Sequence, residues 1–110
     1  MLFGASLHLE AGRLEEAAAI SIDAMNEAAD GLLSTKGLLR SDKYDTVAEF
    51  RKLFADPGEF LPMIADYYFR AIEEGPHNLT AEQAHQRVEE ATLFLEEANG
   101  RYSRMGGSLA

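Results

Sequence analysis

Apolar residues return every three or four positions through most of the chain, and no segment alternates as a strand would. The spacing predicts five helices. A short first helix, over about 2–10, breaks at Ala11-Gly12. A second, over about 13–35, sets Leu14, Ala18, Met25, Ala29 and Leu32 on one face. The small residues Ala17, Ala24 and Ala28 flank that stripe and permit a close neighbour. Gly37 suits its end because glycine tolerates left-handed backbone.

A third helix is predicted over about 42–55, burying Val47, Phe50 and Phe54 with Leu53 beside them. Asp56-Pro57-Gly58 is turn chemistry. The fourth, over about 59–74, presents Phe60, Ile64, Tyr67 and Ala71, and Pro62 is tolerable there only in the first turn. Gly75-Pro76 ends it. Thr80 and Gln83 then form a capping box, each side chain satisfying the other's backbone N–H. The fifth helix, over about 81–99, lines up Ala84, Val88, Ala91 and Leu95.

Connections this short make consecutive helices antiparallel, so the expected class is all-α: an up-and-down bundle of four to five helices. The 110 residues suffice for one core, assigned to 1–103, with 104–110 as a flexible tail. No internal repeat or low-complexity block interrupts it.

Charge narrows the partners. Ten Lys+Arg against nineteen Asp+Glu give a net charge of −9, which opposes nonspecific binding to nucleic acid or anionic membranes. Five of those ten cations, Lys36, Arg40, Lys43, Arg51 and Lys52, fall in one stretch, where Asp42, Asp45 and Glu49 dilute them to a net of +2. The stretch reads either as a solvated surface or as a patch facing an anion or a partner. The absence of cysteine excludes disulfides, thiolate catalysis and cysteine-built metal sites. No apolar run approaches the roughly 20 residues that span a bilayer. The opening "MLFGASLHLEAG" lacks a basic leader and carries His8 and Glu10, so a cytoplasmic protein is expected.

Three segments resemble, in their order and spacing, the HEPN family of small helical domains. They are "ASLHLEAGRLEEAAAISIDAMNEAADGLLSTKGLL", "TVAEFRKLFADPGEF" and "LTAEQAHQRVEEATLFLEEA", and the likeness runs over about residues 5–98. The resemblance implies an antiparallel bundle that dimerises and accompanies a nucleotidyltransferase or a larger enzyme. In some members it implies a metal-independent, toxin-like ribonuclease built on an arginine and a histidine with four to six residues between them. Arg70 and His77 match that spacing. In that chemistry Arg70 would hold the scissile phosphate with its forked donors, and His77 would exchange protons with the ribose hydroxyl or the leaving oxygen. The chain departs from the pattern twice: Ala71 follows the arginine where active members carry a polar residue, and Ile22-Asp23 replaces a pair of aromatics. Without that chemistry, Arg70 is a cation complementing a helix end and His77 a solvated loop residue.

Other constellations are weaker. Glu82 and His85 have the E-x-x-H spacing of di-iron bundles, but the second copy such sites require is missing from the chain. No metal or cofactor is therefore expected. Glu15-Glu16, Glu89-Glu90 and Glu96-Glu97 point about 100° apart on a helix and read as solvated faces rather than acid–base pairs. Asp23, if buried, would need a partner such as Arg70. Tyr67-Tyr68-Phe69 reads as core or dimer seam, because Asp66, Glu73 and Glu74 surround it.

The function expected from these features is a noncatalytic, HEPN-like interaction module that forms a homodimer and binds a partner protein, with a nucleotide or RNA end as candidate ligand. The alternatives are the ribonuclease using Arg70 and His77 and a metal-binding bundle centred on Glu82 and His85.

Overall fold

The structure is a computed structural model and describes residues 3–38 and 45–104. Five α-helices follow one another: α1 (Phe3–Glu10), α2 (Leu14–Ser34), α3 (Thr46–Phe50), α4 (Pro62–Glu74) and α5 (Ala81–Arg104). A π-helical turn over Arg51–Ala55 prolongs α3, and among the described residues there is no strand. The all-α bundle read from the periodicity is present.

Several ends are set by the residues that suggested them. Past α2, Gly37 at φ 90° lets Leu38 N–H reach back to the Leu33 carbonyl at 3.2 Å, closing the last turn. Thr80 and Gln83 form the reciprocal cap of α5 at 2.9 and 3.1 Å. Pro62 occupies the first turn of α4. Beyond one-residue shifts, three boundaries differ. The fourth helix begins at Pro62 rather than about 59, with the proline at its very start, where its missing N–H has no helical partner to lose. The described part of the third helix begins at Thr46, where the Asp45 carboxylate accepts from Ala48 N–H at 3.1 Å; residues 42–44 of the expected helix lie outside the described residues. The fifth helix runs five residues further than expected, because the core stripe continues to Ala98 and Tyr102 packs against it.

Contacts at the two ends fix the helix directions. Leu14 of α2 shares a hollow with Ala81 and His85 of α5, while Leu32 and Ser34 share another with Ala98 and Tyr102. The two long helices α2 and α5 are therefore parallel. The α4 helix is antiparallel to α5: Arg87 meets Glu74 at one end, and Glu97 meets Leu61 N–H at the other. The chain thus runs up, down, up and down through α1, α2, α4 and α5, with α3 a short piece packed on α2.

Between these rods lies an aromatic core. Phe50 sits in its middle, with ring centroids 5.0 Å from Phe60, 5.5 Å from Tyr68 and 5.6 Å from Phe94. All four rings are at most 1% exposed. Edge-to-face contacts such as Phe50–Phe60 and Phe50–Tyr68 add to the area they bury. The tyrosine buried in α4 is Tyr68, whereas Tyr67 is only half-buried. Its hydroxyl donates to Asn26 of α2, so its one polar atom is satisfied inside the core. Burial, with the charges of Asp30 and Asp45, pushes the Tyr68 phenol well above its ordinary range.

Candidate functional site

Arg70 stands on α4 beside a small polar groove of about 170 Å³ walled by Glu74, Leu79, Gln83, Gln86, Arg87 and Glu90. Arg87 is only 5% exposed. It donates to the Glu74 carboxylate at 2.8 Å and to the Gly75 carbonyl at 3.2 Å. The guanidinium thereby satisfies an orphan acceptor at the C-terminus of α4 and places a cation where the helix dipole favours one. Glu90, also buried, accepts from Gln86 at 3.0 Å and has Arg70 at 3.9 Å. Two guanidiniums thus face two carboxylates, and the groove is balanced in charge.

His77 is engaged elsewhere. Its imidazole lies 3.3 Å from Glu15 at the start of α2, with both side chains well exposed. Arg70, about half exposed, lies toward Glu90, with Tyr67 beneath it at 5.8 Å. The structure therefore presents the two residues to different carboxylates, and His77 is not in the wall of the groove that Arg70 lines. Asp23 is exposed, so it needs no buried partner.

The adjacent acid pairs divide as helix geometry requires, with one correction. Glu89 is exposed, but Glu90 is turned into the α4–α5 contact and is not part of a solvated face. Arg87 was not singled out from the sequence and Glu90 was expected on a solvated face, although Arg87 lies inside the apolar stripe Ala84–Val88–Ala91. A charge within such a stripe is the signal that marks a charged side chain buried against a neighbouring helix.

Within the basic stretch, Lys36 lies over the Phe54 ring at 5.3 Å and reaches Glu59 at 3.4 Å. Arg51 stacks on Phe69 with its guanidinium carbon 3.8 Å from the ring centroid. Lys52 is exposed. Arg40 and Lys43 lie outside the described residues. Glu59 also meets Arg101 at 3.3 Å. Hydrogen bonding from Lys36, aided by the charges of Lys36 and Arg101, holds the Glu59 carboxyl below its ordinary value against an opposing push from burial. This triad fastens the end of α2, the segment before α4 and the end of α5 to one another.

A different surface is left open. Between α1 and α5 run two overlapping hollows, of about 450 and 500 Å³, that share Ser6, Leu9 and His85. Leu14, Val88 and Leu93 extend their apolar lining, and Glu10 and Glu89 contribute carboxylates. Leu93 is 43% exposed, and Leu7 of α1 is 47% exposed. The α1 sequence, FGASLHLE, is apolar on more than one side, so packing one side on the bundle leaves hydrophobic surface on another. Leu61 and Met63 at the start of α4 are exposed as well.

Among the described residues no three potential metal ligands cluster, and no helix is long and apolar enough to cross a membrane. His85, half of the E-x-x-H element, lines the apolar groove. No protein-family model matches the chain, and no curated protein or solved structure matches it.

Proposed function

We propose that the chain is a noncatalytic interaction module, HEPN-like in its helix order, which pairs with a second copy of itself and binds a partner protein. The observation that carries this reading is where the unsatisfied surface lies. The buried cation of the polar groove is held by a carboxylate and a helix-end carbonyl, and Arg70 and His77 each face a carboxylate. The α1–α5 face instead offers a long apolar hollow with the exposed Leu93 in its lining. A surface of that kind favours association over bond-making. Leu61 and Met63 supply a second apolar patch, on α4, which suits self-pairing.

Light scattering on the purified chain tests the pairing. The reading expects a mass twice the 12.1 kDa of one chain, reverting toward one chain in Leu61→Gln/Met63→Gln. A single-chain mass at all concentrations would remove self-association from the reading.

The ribonuclease reading keeps one point in its favour: Arg70 and His77 are both exposed, near the same end of the bundle. Each would have to leave its carboxylate to meet a phosphate.

A further inference from the structure

Along the outer side of α5 the carboxylates of Glu82, Glu89 and Glu96 recur at seven-residue intervals, and all three are exposed. Seven residues are close to two helical turns, so the three form one acidic row roughly 21 Å long beside the α1–α5 groove. Glu89 lines the groove itself, together with Leu9, Val88 and Leu93, and Glu10 stands on its α1 side.

We propose that this groove takes a single amphipathic helix from another protein, with apolar side chains laid on Leu9 and Leu93 and Lys or Arg at seven-residue spacing along the acidic row. The inference rests on the interaction-module reading and names its partner. Flanking charges of this kind select helix partners in coiled coils. They also steer encounter and reject like-charged competitors. A second copy of this chain does not fit the row. Its net charge is −9, α1 and α2 contain no Lys or Arg, and no described helix carries two cations seven residues apart.

The test uses the full chain and three synthetic peptides, each about three heptads long. One has leucine at the inward positions and lysine at the flanking ones. In the second glutamate replaces lysine, and in the third glutamine replaces leucine. Binding is read by fluorescence anisotropy and by backbone amide NMR shifts. The Leu/Lys peptide is expected to bind, to shift amides of α1 and the outer side of α5, and to weaken about tenfold with either Leu93→Gln or Glu89→Lys. The Leu/Glu peptide is expected not to bind. Equal binding of the glutamine–lysine peptide would reduce the effect to bulk charge and overturn the proposal. So would shifts centred on another face, or an unchanged affinity in both variants. Failure of all three peptides with a chain that still forms a dimer would sink the groove assignment alone. RNA cleavage by the chain would sink the module reading instead.

Discussion

Arg87 and Glu74 meet at 2.8 Å where α4 ends against α5, and the same guanidinium holds the Gly75 carbonyl. One buried cation thereby joins two helices and closes the end of one of them. Removing it would leave that partly buried carbonyl without its donor. Arg87→Ala is expected to cost about 1–3 kcal/mol in denaturant unfolding. Arg70→Ala, which removes a half-exposed cation 3.9 Å from its carboxylate, is expected to cost less than about 1 kcal/mol. Equal losses in the two variants would contradict this division.

Phe50 is the ring on which Phe60, Tyr68 and Phe94 converge, and it is fully buried. Phe50→Ala is expected to cost about 3–5 kcal/mol, through lost transfer energy and the cavity left behind. Thermal or denaturant unfolding followed by circular dichroism measures it.

The Tyr68–Asn26 hydrogen bond links α4 to α2 from within the core. Tyr68→Phe is expected to lose about 1 kcal/mol. A double-mutant cycle with Asn26→Ala should show coupling, because the two groups share one bond. Strict additivity would mean that the contact contributes nothing.

Glu59 sets an acid dependence. Its carboxyl is held below the ordinary 4.5 by Lys36 first and Arg101 after it. A depressed native value means that its contribution is present above 4.5 and lost as pH falls through the lower native value. Wild type should therefore exceed Glu59→Gln in stability at neutral pH, and the gap should narrow on acidification below 4.5. A gap that widened in acid would reverse the sign of the interaction.

The architecture was legible because helix ends carry local chemistry. Gly37, Pro62, Gly75 and the Thr80/Gln83 box each act within a few residues, and each stands where the spacing placed it. Facing directions were harder to read. Tyr67 and Tyr68 are neighbours with equal apolar character, and only the approach of α2, with Asn26 positioned for a hydroxyl, decides which is buried. Phe94 continues the stripe of Ala91 and Ala98 but is masked in the sequence by Leu93 and Leu95 on either side. The pairings of the buried Arg87 and Glu90 depend on α4 lying alongside α5, a relation between distant segments that periodicity does not express. The α1–α5 groove is of the same kind, since it exists only where two faces meet.

The division between recognition and chemistry can be measured in one assay: cleavage of RNA in EDTA by the wild-type chain, His77→Ala and Arg70→Ala, each verified as folded. The account predicts no cleavage above background for any of the three. Cleavage by wild type that disappears in both variants would contradict it.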